Sequence, residues 1–328
     1  MLTRMLLIRL YHKTDMKRIL ALALASLGAA QAQLMNPPEF ILNSSFFQGH
    51  QKAADGSYKK GFNTLKLTSK AGLVLKAEYT SNNTNLQTAA QLIAYLTGYG
   101  ESFEEPVLNF LKQNQKELSR GVSVLDQDSQ YNISVVQQSG LLGLSVERHQ
   151  FPESTFPKNV PTYGDPKAKV AIRILSDYQC PYCQRLATTV LSSWKKQAGS
   201  LGIKIEHHHF PLSYHQNAFP AAEAAECANA QGKFWEFTDA AFQDWNWTKK
   251  PVPDALKDFS RMAGKLKLDT KKFDRCLATH QFKDRVNEGL KTGQAARLTG
   301  TPSVYVGGFK VVDYNNWKEM MTLIQLSQ

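Results

Sequence analysis

Cysteine is scarce in this chain, four in 328 residues, and residues 33–150 contain none. Also missing are a second close cysteine pair, an internal repeat, a basic cluster interleaved with aromatics, and any long apolar run beyond residue 32. Each absence excludes something. A structural zinc site wants four ligands, usually from two close pairs, and Cys227 and Cys276 stand alone. His207, His208, His209 and His215 could add nitrogen, but successive strand residues face opposite sides, so at most His207 and His209 share one. They read as ordinary polar strand and loop histidines, and no metal is expected. Lysines come in scattered pairs such as Lys59-Lys60, Lys195-Lys196 and Lys249-Lys250, which describes a solvated surface and gives no footing for nucleic acid. A hydrophobic content of 42% excludes disorder, and the length allows two domains with real cores.

Residues 1–32 are of another kind. "MKRILALALASLGAAQAQ" runs from basic Lys17 and Arg18 through an apolar stretch to Ala30-Gln31-Ala32, the layout of a secretory signal peptide. Met16 is the expected true start. The apolar run is short for a membrane span, although an uncleaved leader could still act as an anchor. Without these residues, which hold five basic side chains and one acidic, the net charge falls from +11 to +7. Export, to a periplasm or cell envelope, places the thiols among oxidants.

After an extended entry at "LMNPPEF", residues 63–80 read as two strands around Lys70-Ala71-Gly72. Thr88 to Leu96 and Phe103 to Leu118 carry apolar residues at helical spacing, and 120–150 supplies three short strands. This α+β domain, 33–150, has no motif to which chemistry attaches. Four prolines in 151–167 mark an interdomain linker at 151–165. From Val170 the order is strand, one helix, strand, a helical block at about 213–297, hairpin, helix. Asp269 and Thr270 are expected as caps, Gly232 and Gly264 as helix stops, and Gly307-Gly308 as a two-residue turn.

The stretch "SDYQCPYCQRL" holds Cys180 and Cys183 three positions apart. A disulfide closing so small a loop constrains the unfolded chain little, and strained, exposed disulfides are the catalytic kind. At the start of a helix, unpaired N–H groups and the dipole favour the Cys180 thiolate, and Pro181 suits the first turn because it has no N–H to lose. Cys180 is thus the expected nucleophile and Cys183 the resolving thiol, with Pro181, Tyr182 and Gln179 as tuning positions. Asp177 would oppose the thiolate if it faced the sulfur, and would not if it faced away or capped locally.

With "SDYQCPYC", "HHHFPLSYHQNA", "GKFWEF", "FDRCL" and "LTGTPSVYVGG" in this order, residues 166–328 resemble the DsbA-like thioredoxin-fold family of exported thiol–disulfide oxidoreductases. The resemblance implies an α/β thioredoxin-like domain with a helical insertion, preceded here by the smaller α+β domain. It implies a cis-proline at Pro302 facing the cysteine pair, Thr301 lining a substrate groove whose backbone pairs with an extended substrate, and a structural disulfide between Cys227 and Cys276, for which two free buried cysteines are the alternative. No soluble cofactor is implied. The implied partners are reduced substrate proteins and a membrane quinone-linked thiol oxidase as reoxidant. Two other readings stand beside the oxidase. One is a disulfide isomerase or reductase kept in the dithiol form and dimerised through 33–150; the other is a non-catalytic envelope binding protein.

Overall fold

The computed structural model describes residues 33–126 and 128–328; the signal-peptide reading of 1–32 lies outside the described residues. They divide into two compact units, one of 33–67, 76–126 and 133–146, the other of 68–75, 128–132 and Glu147–Gln328.

The first unit begins with a helix, α1 (Pro38–Leu42), where an extended entry was expected. Pro38 occupies the first helical turn, where its missing N–H costs nothing, and Ile41 is buried. A seven-stranded sheet follows, in the order β1-β2-β3-β4-β7-β6-β5. Its strands are β1 (Gln51–Lys52), β2 (Tyr58–Lys60), β3 (Asn63–Lys70), β4 (Leu73–Ser81), β5 (Val122–Leu125), β6 (Tyr131–Gln138) and β7 (Leu141–Arg148). In β6, Tyr131, Ile133 and Val135 are buried at the spacing of two that a one-sided strand needs. Between β4 and β5 lie α2 (Leu86–Thr97) and α3 (Glu104–Gln113). The Asn85 side chain caps α2 by accepting from Gln87 N at 2.8 Å, and Gly98, at φ 73°, ends it. The helix α3 stops short of Leu118, the residues beyond it forming turns.

The second unit is built on a five-stranded sheet, β12-β11-β9-β10-β8, of β8 (Thr162–Tyr163), β9 (Val170–Ser176), β10 (Ile203–His209), β11 (Ser303–Val306) and β12 (Phe309–Lys310). Strands β9 and β10 are parallel and β11 is antiparallel to β9. The proline-rich segment is not a free tether: it supplies β8, and Phe151 and Phe156 are buried. The predicted single helix after Cys180 is two, α4 (Pro181–Thr189) and α5 (Leu191–Leu201). They part at Val190, the end of a β-branched Thr188-Thr189-Val190 run that crowds a helical backbone.

The insertion between β10 and β11 comprises α6 (Ala218–Asn229), α7 (Phe234–Gln243), α8 (Val252–Lys265), α9 (Thr270–Ala278) and α10 (Lys283–Ala295); α11 (Trp317–Ser327) closes the chain. Asp269 caps α9 through Lys272 N at 3.1 Å. Gly264 lies inside α8 instead of ending it, and Lys267, at φ 61°, takes the left-handed position. Two glycines set how closely α10 approaches the sheet. A Cβ on Gly289 would fall 2.1 Å from the His209 carbonyl oxygen, and one on Gly293 2.1 Å from the Phe210 ring.

The histidine run departs most from its sequence reading. His207, His208 and His209 are all buried, because helices cover both faces of a central α/β strand. His207 and His209 do share a face, 5.1 Å between centroids, packed with Phe234. His209 Nε2 lies 3.0 Å from the buried Glu226 carboxylate on α6.

Candidate active site

The end of β9 and the start of α4 bring the two thiols together. Cys180 is the N-cap residue of α4, with extended backbone (φ −80°, ψ 125°) and Pro181 in the first turn. Both cysteines are buried and free, at 4% and 1% exposure, whereas Tyr182 between them is 59% exposed. Antiparallel pairing of Ser303 with Leu175 sets the β11 end beside this turn. There the Thr301–Pro302 peptide is cis, and the Cys180 Sγ lies 3.3 Å from the Thr301 carbonyl oxygen as thiol donor.

The electrostatics separate the two sulfurs. The Cys180 pKa is brought down to about 5, first by a hydrogen bond from the Cys183 thiol, with further help from the Thr301 side chain and the Tyr182 and Cys183 backbone N–H groups; burial opposes them. Those N–H groups are the unpaired donors of a helix start. The Thr301 hydroxyl is buried without a partner while Cys180 is a thiol, and is therefore available to the thiolate. Cys183 is pushed up, by burial first and then by its neighbour. A single shared proton thus sits on Cys183 and the charge on Cys180.

Asp177 faces away from the sulfurs and caps locally. Its Oδ1 accepts from Gln179 N at 2.6 Å, and its Oδ2 accepts from Leu212 N at 2.7 Å and meets His215 Nδ1 at 2.8 Å. Its own N–H donates to Cys183 Sγ at 3.4 Å. One carboxylate therefore ties the cysteine turn to the loop after β10. Gln179, read as a tuning position, is a strap: Nε2 donates to Thr248 O and Oε1 accepts from Asn217 N, both at 2.8 Å. Tyr178 continues it, its hydroxyl 2.7 Å from that of Thr238 and its ring stacked on Phe242. Sequence reasoning missed His215 and Thr248 as partners because both are remote in the chain from the residues they meet, and the quoted stretch around His215 does not state its partner. Tyr314, also missed, has its pKa raised chiefly by burial and feels Arg185 and both thiols.

Cys227 and Cys276 form a disulfide, Cα–Cα 5.9 Å, joining α6 to α9. It does not share the cysteine turn, but both residues belong to the same buried cluster as Cys180 and Cys183. Among the described residues no group of three His, Cys, Asp or Glu is arranged to hold a metal ion, and no helix is long and apolar enough to cross a membrane.

A nucleophile-ready thiol at a helix start, a deeper thiol one turn on and an X-Pro loop facing them define a thioredoxin-type redox site. The thioredoxin family model matches residues 157–326, and the chain belongs to that family. Among curated proteins it is 31% identical over 173 residues to the Na(+)/H(+) antiporter NhaA 1 of Mycobacterium sp. (strain KMS), covering 51% of this chain and 26% of that protein. It is 29% identical over 152 residues to the probable disulfide bond formation protein D of Bacillus cereus, covering 44% of this chain and 68% of that protein. The chain thus spans about a quarter of the antiporter's length. Among solved structures, oxidised BdbD from Bacillus subtilis aligns with TM-score 0.47 at 20% identity, over 55% of this chain and 97% of that one. DsbA from Chlamydia trachomatis aligns with TM-score 0.45 at 19% identity, over 54% and 96%.

Proposed function

We propose that the chain is an exported thiol–disulfide oxidoreductase that works as a protein dithiol oxidase. A substrate thiolate attacks Cys180 of the oxidised pair, the Cys180–Cys183 bond breaks with its electrons leaving on Cys183, and a mixed disulfide forms at Cys180. A second substrate thiolate then attacks its partner's sulfur, which releases the oxidised substrate and leaves Cys180 as thiolate. Thr301 and Pro302 form the wall along which an extended substrate would lie. A membrane quinone-linked thiol oxidase would restore the disulfide, in a periplasm or envelope.

The observation that carries this reading is the placement of the proton on Cys183 and the charge on Cys180. A pKa near 5 in place of 9 stabilises the dithiol form at pH 7 by about 3 kcal/mol, roughly 60 mV in a two-electron couple. A reduced state so favoured drives disulfides outward to substrates.

The test is glutathione equilibration of the chain lacking residues 1–32. A reduction potential near the ~−120 mV of a strong exported oxidant supports donation; one at or below the ~−270 mV of thioredoxin overturns it in favour of an isomerase or reductase. A Cys183→Ser protein is expected to accumulate substrate mixed disulfides, and Cys180→Ser none. Substrate oxidation retained by Cys180→Ser would rule out either enzyme.

A further inference from the structure

The buried Cys227–Cys276 disulfide lines a cavity of about 300 Å³ in the helical insertion. The cavity's lining includes both cysteines, Gln231 after α6, Lys272 and Arg275 of α9, and Thr279 just past its end. Lys272, Arg275, Cys276 and Thr279 follow one another at helical spacings of three, one and three, so one face of α9 presents them together. The lining holds two cations and no carboxylate. Of the nearby acids, Asp269 caps α9 and also pairs with Lys272 Nζ at 3.7 Å, which offsets part of that charge and leaves Arg275 as the stronger cation, while Glu223 is paired with His280.

Both cysteines lie in the last turns of their helices, where the dipole disfavours a thiolate. A basic lining opposes that effect and raises the local concentration of anions. A cavity of this size is at the lower end of small-ligand sites, wide enough for a thiol of a few heavy atoms and far too narrow for a folded protein.

We infer that this cavity is a second redox site, at which a small anionic thiol, one carrying a carboxylate, opens the Cys227–Cys276 disulfide. The incoming thiolate bonds to the sulfur of Cys276, the more exposed of the two residues. The Cys227–Cys276 bond breaks and its electron pair leaves on Cys227, which takes a proton from solvent. A second small thiolate attacks the adduct at the small thiol's own sulfur and releases Cys276. Two protein sulfurs gain two electrons and two protons in all, and two small thiols become one disulfide. Lys272 and Arg275 hold the carboxylate.

The test uses the full chain carrying Cys180→Ser and Cys183→Ser, so that only this disulfide can react, with 3-mercaptopropionate, 2-mercaptoethanol and cysteamine as probes. Opening is read by acid-quenched intact mass, and rates are normalised to thiolate concentration. At low salt the anionic thiol is expected to react about 10-fold faster than the cationic one, with the neutral thiol between, the spread shrinking as salt is added. Lys272→Gln with Arg275→Gln should abolish the spread. A flat or reversed order, or no opening before the protein unfolds, overturns the inference. The charge series on the parent protein decides this even if the double variant does not fold, and peptide mapping of the chain with Cys180 and Cys183 intact gives a second reading.

Discussion

The low pKa of the Cys180 thiol comes from what surrounds it and not from its type. The Cys183 thiol, the N–H groups of Tyr182 and Cys183 and the Thr301 hydroxyl all converge on its sulfur. Iodoacetamide labelling of the reduced protein is therefore expected to titrate with a midpoint near pH 5, where an ordinary thiol would titrate near 9. Thr301→Val removes one donor to a charged acceptor, worth about 1.5–3 kcal/mol, and should raise that midpoint by about 1–2 pH units. An unmoved midpoint would leave the hydroxyl without a part in the site. Much of this was legible in the sequence: "CPYC" after an apolar strand states the helix-start placement, because proline without an N–H suits the first turn. The orientation of Asp177 was not legible. It depends on Leu212 and His215, more than thirty residues on, and a single sequence carries no sign of that pairing.

At the scale of elements, β10 shows where pattern reading stops. Alternation gave the strand and the shared face of His207 and His209, but burial depends on the helices packed over both sides, and polar residue types argued against it. Burial holds His207 and His208 below the ordinary histidine pKa of 6.5. The unfolded chain, with the ordinary value, takes up protons first as the pH falls through 6.5. The two histidines thus contribute stability above that pH and withdraw it below, until the folded state also protonates. Urea midpoints should accordingly be lower at pH 5.5 than at pH 7.5, and His207→Phe should flatten the difference. The turns were the most readable elements: Gly72, Gly307 and Gly308 all adopt the positive φ expected of them. The α4–α5 break was not, since a β-branched run weakens a helix without stating that it ends there.

At the scale of the whole chain, the second unit is held by connections that skip far along the sequence. The Cys227–Cys276 bond spans a sequence separation of 49 and ties α6 to α9. Restricting an unfolded loop of that size is worth about 4 kcal/mol at most in the chain-entropy view, so Cys227→Ala with Cys276→Ala is expected to lower unfolding stability by about 2–4 kcal/mol in denaturant titrations. Gln179 and Tyr178 bind the cysteine turn to the insertion from the other side. Composition marks the cysteine-free first part and the proline-rich passage, but carries no sign that 68–75 and 128–132 group with the second unit. Nor does it show the burial of the proline-rich passage, because Phe151 and Phe156 find their places only once the sheet exists.

Gly289 and Gly293 stand one turn apart on α10, where the His209 carbonyl and the Phe210 ring leave no room for a methyl group. They work as the teeth of an index. If α10 advanced by one residue, Glu288 or Leu290 would meet the strand where only hydrogen fits, so the helix has one permitted axial setting against β10. Deletions between Phe210 and Gly289 must therefore be absorbed in the turns of the insertion, since α10 cannot slide to take up the slack. Gly289→Ala, which jams the index against backbone that cannot yield, should cost about 3 kcal/mol, more than the same change at Gly293, where a ring can swing aside.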